Sequence, residues 1–187
     1  MECKCNVAFV LHVFRFHPAL RFTYWGVSRC STLGPLIHSR AVEKVERHVK
    51  DALQQGAKVL TGGSRLDRPG SFFAPTVLVN VPNTTQVSRE ETFGPLVALI
   101  KFEKEEEVIK LANDTDMGLA GYFFSNDLAR VWRVAEALEV GMVGVNGNAI
   151  SGTNTPFGGI KDSGLGREGS HGIEEYLNTK LIAFSGL

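Results

Sequence analysis

The 187-residue chain reads as an α/β protein. Two observations predict this. One long segment places apolar residues three and four apart, and from residue 97 to residue 146 short apolar runs alternate with helix-like segments. A strand–helix–strand–helix–strand order of this kind predicts a parallel sheet with helical crossovers.

Residues 1–33 stand apart from the rest. They carry Arg15, Arg21 and Arg29, a single acid in Glu2, and an apolar stretch Val7–Phe14. That composition suits a targeting peptide or an unrelated leader with no function of its own. Regular patterning begins at Gly34-Pro35. Residues 39–55 set Val42, Val45, Val49, Ala52 and Leu53 on one helical face, and Gly56 supplies a stop. Lys58–Thr61 reads as a short strand. Phe72–Val79 reads as extended, with Pro75 arguing for an edge or a bulge. Val97–Phe102 is a predicted strand and 103–113 a helix. Glu105, Glu106 and Glu107 in its first turn complement the positive helix end. Leu119–Phe124 is a strand, Asp127–Leu138 a helix and Met142–Asn146 a strand. Gly172–Asn178 is a short helix and Thr179–Phe184 a final strand.

Composition narrows the function classes. Formal net charge is zero with both signs mixed along the chain, which argues against a nucleic-acid footprint. No apolar run reaches the roughly 18 residues of a membrane span. Cys3, Cys5 and Cys30 form an odd set confined to the first 30 residues, so a disulfide framework is not expected. The five histidines show no metal-ligand spacing, and no metal site is expected.

Two strings carry the chemistry. In Glu91-Thr92-Phe93-Gly94-Pro95, a carboxylate could accept hydrogen bonds from both hydroxyls of a ribose diol, beside the flat wall of Phe93. The alternative is an ordinary turn with a solvated acid and a core phenylalanine. Pro156–Glu168 contains four glycines, a proline and a lysine. Gly164, Gly166 and Gly169 formally match a dinucleotide fingerprint. A polar loop precedes them where a strand is required, so that reading is rejected.

Glu90-Glu91-Thr92-Phe93-Gly94-Pro95-Leu96, followed by Pro156-Phe157-Gly158-Gly159-Ile160-Lys161-Asp162-Ser163-Gly164-Leu165-Gly166-Arg167-Glu168, resembles the C-terminal part of NAD(P)-dependent aldehyde dehydrogenases. The stretch Glu90–Gly172 is most similar to the succinate-semialdehyde dehydrogenases, including Gly118-Leu119-Ala120-Gly121-Tyr122-Phe123. The resemblance implies a partial catalytic domain over 34–170, with a parallel-type sheet. A tail over 171–187 would carry an oligomerisation strand, Thr179–Phe184. It implies that Glu91 holds the nicotinamide ribose of NAD or NADP and that Phe93 packs beside it. Phe157 would face the aldehyde pocket. Ser151 would donate to the distal carboxylate of the substrate; its alternative is a loop serine bonded to its own backbone. Arg167 and Glu168 would form a structural ion pair. The implied reaction is oxidation of succinate semialdehyde to succinate, a step of 4-aminobutyrate catabolism, in mitochondria or cytoplasm.

The family's reaction also needs a cysteine nucleophile and a glutamate base, held in Gly-Gln-x-Cys and Glu-Leu-Gly-Gly strings. Neither string occurs in these 187 residues. Cys3-Lys4-Cys5 only faintly echoes the nucleophile's surroundings. The expectation is therefore a C-terminal fragment with no catalytic residue and no turnover of its own. The alternative is a non-catalytic assembly partner or regulator that docks on a full-length subunit through Thr179–Phe184.

Overall fold

The computed structural model describes residues 33–147 and 150–186. The leader, with its three cysteines, lies outside the described residues, apart from Leu33. The described chain divides into two units, 33–102 and 103–186.

In the first unit, α1 (Ser39–Gln54) is amphipathic and is capped by His38, whose Nδ1 accepts from the Ala41 amide at 3.1 Å. It ends where Gly56 takes φ +98, a conformation costly for any residue with a Cβ. Its buried side chains are Val42, Val45, His48, Val49 and Ala52. Leu53, predicted on that face, is 43% exposed, and His48 is buried in the stripe instead. The helix packs with Phe73, Leu78 and Val81 into the core of the unit. Each such valine or leucine contributes about 1.5–3 kcal/mol by leaving water.

The sheet of this unit runs in the order β1 (Lys58–Thr61), β2 (Thr76–Val79), β3 (Leu96–Leu99). β1 and β2 are antiparallel, and β2 and β3 parallel. Pro75 marks neither an edge nor a bulge. It immediately precedes β2, the central strand, where its missing amide costs no ladder bond, and the register shift falls between Val59 and Thr61 on β1. A four-residue helix, α2 (Gln86–Arg89), lies between β2 and β3 and was not anticipated.

In the second unit, α3 (Glu105–Asn113) leads to β4 (Met117–Gly118) and β5 (Ala120–Phe123). Then come α4 (Leu128–Ala137), β6 (Met142–Val145) and β7 (Ile160–Lys161). β5 and β6 pair in parallel, Ala120 opposite Met142 and Phe123 opposite Val145, joined by α4. Phe123 and Val134 are fully buried. β4 pairs with β7 antiparallel.

Two expectations are corrected here. The strands between 97 and 146 do not share one parallel sheet, because β3 pairs with β2 while β5 pairs with β6. Local periodicity identifies strands but not their partners. The tail also differs. A 3₁₀ helix spans Gly169–Tyr176, where an α-helix from Gly172 to Asn178 was expected. Within the described residues, 179–184 pair with no strand; the pairing expected for this segment is with a partner subunit's sheet.

Candidate functional site

The Glu91 loop is built on α1 from behind. The chain leaves α2 at Glu90 in an extended conformation, φ −104 and ψ 137. In extended chain, alternate side chains face opposite ways. Glu90 and Thr92 turn back to the buried ring of His48. Nε2 of His48 lies 3.2 Å from Glu90 Oε2, and Nδ1 lies 2.7 Å from Thr92 Oγ1. Lys44 and Arg47, also on α1, approach the same Glu90 carboxylate at 3.8 and 3.4 Å. Its pKa is held below the ordinary glutamate value, chiefly by the hydrogen bond to His48. Glu91 and Phe93, the alternate pair, are exposed, Phe93 to 73%. Phe93 is therefore not the core phenylalanine of the alternative reading. Gly94 then lets the loop close on the helix, since a Cβ there would sit 2.5 Å from Val45 Cγ2.

The second unit presents Ser151 and Phe157. β6 is followed at once by Asn146, whose φ is +55. Its side-chain amide accepts from Ser125 N and donates to Ser125 O, both at 2.8 Å, so the loop after β6 starts from a fixed point. Ser151 is exposed, and no hydrogen bond ties it to its own backbone among the described residues. The neighbouring turn is closed by Thr155 Oγ1, which accepts from Gly152 N and donates to Gly152 O, both at 2.9 Å.

Phe157 is half-buried and pairs its backbone with Glu168, with N–O distances of 3.1 and 2.7 Å. That bridge closes the glycine-rich loop. Arg167 donates from one guanidinium nitrogen to the carbonyls of Gly159 and Gly166, each at 2.8 Å. Arg167 thus fastens the loop through its carbonyls, and Glu168 serves through its main chain. The expected ion pair between them is replaced by these bonds. Lys161, at φ +55, donates from Nζ to the carbonyls of Asn113 and Thr115 at the end of α3, a favourable place for a cation.

Glu91 and Phe93 thus share one loop of the first unit, and Ser151 and Phe157 share one loop region of the second. The supporting residues His48, Thr92, Lys161 and Asn146 were missed in the sequence. For His48 the signal was present, since it lies three residues after Val45 and four before Ala52, on the buried stripe. A groove of about 400 Å³ in the second unit is lined by Glu103, Lys104, Glu105, Glu106, Arg130 and Arg133. Glu105 already bonds Arg130 at 2.9 Å and Arg133 at 2.6 Å, and the groove's lining side chains are all charged. We do not place the site there. Among the described residues no cluster could hold a metal ion, and no helix is long and apolar enough to cross a membrane.

Comparison with known proteins establishes the family. The model of the aldehyde dehydrogenase family matches residues 25–182, beginning upstream of Gly34. The mitochondrial succinate-semialdehyde dehydrogenase of Rattus norvegicus is 57% identical over 163 residues, covering 87% of this chain and 31% of that protein. The succinate-semialdehyde dehydrogenase [NADP(+)] of Escherichia coli is 57% identical over 158 residues, 84% of this chain and 33% of that protein. The structure of succinate-semialdehyde dehydrogenase from Burkholderia pseudomallei superposes with a TM-score of 0.79 at 56% identity, over 81% of this chain and 32% of that one. The chain spans about a third of the length of the curated relatives it matches.

Proposed function

The chain belongs to the aldehyde dehydrogenase family, and from that premise we propose that it supplies the nicotinamide-ribose and substrate-carboxylate contacts of an NAD(P)-dependent succinate-semialdehyde dehydrogenase. The observation that carries this reading is the outward presentation of Glu91 and Phe93 on a loop anchored from behind. An exposed carboxylate beside an exposed aromatic face fits a ribose diol joined to a flat ring. When bound, the dinucleotide supplies a hydride acceptor. Glu91 binds the diol and orients it, and Phe93 shields one side from water. Ser151 donates its hydroxyl to the carboxylate of the aldehyde, and Phe157 forms apolar wall. No residue of this chain is assigned as nucleophile or base, because the strings that hold them do not occur among its 187 residues.

Two experiments test this. The purified 187-residue chain with succinate semialdehyde and NAD or NADP is expected to give no sustained reduced cofactor, and sustained turnover would overturn that part. A chimera of the Escherichia coli relative, with residues 34–187 of this chain in place of the matched segment, is expected to oxidise succinate semialdehyde. Within it, Glu91→Ala should raise KM for the dinucleotide about tenfold or more, the loss of a hydrogen bond to a charged group. An active chimera indifferent to Glu91→Ala would remove the ribose assignment.

A second reading has its own observation. The tail is apolar and uncovered, with Leu181 91% and Phe184 79% exposed. Such a segment is suited to adding a strand to a partner's sheet edge. On this reading the chain is an assembly partner of a full-length enzyme. Light scattering of a mixture with such an enzyme should show a mixed oligomer, and its absence would remove the reading.

A further inference from the structure

We propose that His48 is a positioning residue for the Glu91 loop: held beneath the loop, it grips Glu90 and Thr92 and so turns Glu91 and Phe93 outward. The inference rests on the assignment of Glu91 and Phe93 to the ribose for its functional meaning, and on geometry alone for its structural content.

Histidine is a costly residue to place inside a valine-lined helix face, and this one is fully buried. Its cost is offset only because both ring nitrogens find partners, and both partners belong to one three-residue stretch, 90–92. The chemistry of those partners fixes the ring. A carboxylate only accepts, so Nε2 carries the hydrogen that goes to Glu90. In the neutral ring Nδ1 is then an acceptor, and the Thr92 hydroxyl donates to it. Burial, the chief influence, keeps the His48 pKa below its ordinary value although Glu90 pulls the other way. The neutral Nε2–H tautomer is therefore the resting form.

Two bonds, one residue apart on either side of Glu91, leave that residue little freedom to rotate. A single bond would leave a pivot. The arrangement also separates roles, since Glu90, itself partly exposed, and Thr92 bond back to His48 while Glu91 and Phe93 are left exposed on the alternate positions. Gly94 completes it by bringing the loop against Val45.

The test is backbone nitrogen relaxation on the 187-residue chain. His48→Phe fills the space and removes both bonds. Order parameters at Glu91 and Phe93 are expected to fall from about 0.85 to below about 0.6, while α1 stays rigid. His48→Gln, whose amide can take the place of Nε2 toward Glu90, should restore part of that order. A purely space-filling role predicts the reverse ranking, and that ranking would overturn the proposal. If His48→Phe does not fold, Glu90→Ala with Thr92→Val cuts the same bonds from the loop side; an unchanged loop in that double variant also overturns it. Imidazole nitrogen shifts in the native chain should report the Nε2–H tautomer, and the Nδ1–H form would contradict the proposal. The Escherichia coli chimera separates the two assignments. A KM for the dinucleotide that rises with Glu91→Ala, beside a loop indifferent to the His48 variants, sinks the positioning role alone. A loop that loosens as described, in a chimera that is active yet indifferent to Glu91→Ala, leaves positioning intact and sinks the ribose assignment.

Discussion

His48 makes acid the enemy of the first unit. Its folded pKa is depressed, so between its ordinary value of 6.5 and the lower folded value the unfolded chain takes up a proton that the folded chain refuses. Stability contributed by the neutral ring is complete above that window and is lost as pH falls through it. Unfolding midpoints measured across pH 5 to 7 should drop for the native chain. For His48→Gln they should stay flatter; equal slopes would contradict the depressed pKa. Gly94 carries a second consequence at this scale. Gly94→Ala sets a methyl against the stiff side chain of Val45 and should cost about 1–3 kcal/mol in denaturant unfolding. These residues also show what the sequence made legible. Glu91 and Phe93 stand out in the sequence because their string is distinctive, and the structure adds that both are exposed. The burial of His48 was legible from its place on the helical stripe, but its bond to Thr92 was not, because a hydrogen bond between residues 48 and 92 is set by packing, which no local pattern encodes.

Elements were legible in proportion to how local their causes are. α1 and β1 were expected within a residue of where they lie, since a helical stripe and a glycine stop are near-neighbour signals. α4 starts one residue after its expected first position because Asp127 is its N-cap, accepting from Arg130 N at 3.1 Å. Asp127→Ala should cost about 0.5–2 kcal/mol of stability in the second unit. Pairing was not legible. β4 and β7 are two residues each and join through a contact more than forty positions apart, which leaves no periodicity to read. At the foot of α3, Glu105 bonds Arg133 and Arg130, and these hydrogen bonds, Arg133's foremost, lower its pKa. That contribution is present above the ordinary glutamate value and fades as pH falls through the lower folded one. Glu105→Gln should destabilise the second unit by roughly 1–2 kcal/mol at neutral pH, and less in acid. A penalty that grows in acid would refute the assignment.

For the whole molecule, family membership was legible because two long motifs stand in the right order. The sheet plan was not, because strand partners are chosen by the completed fold. Thr179–Phe184 is the clearest instance. Its apolar composition reads as a strand, yet a strand is a relation, and the described residues supply no second party to it. Exposed apolar side chains of this kind draw the attention of chaperones and proteases. On the second reading, pairing with a partner's sheet edge would shelter Leu181 and Phe184 from them, so co-expression with a full-length relative should lengthen the chain's lifetime; an unchanged lifetime would count against that reading.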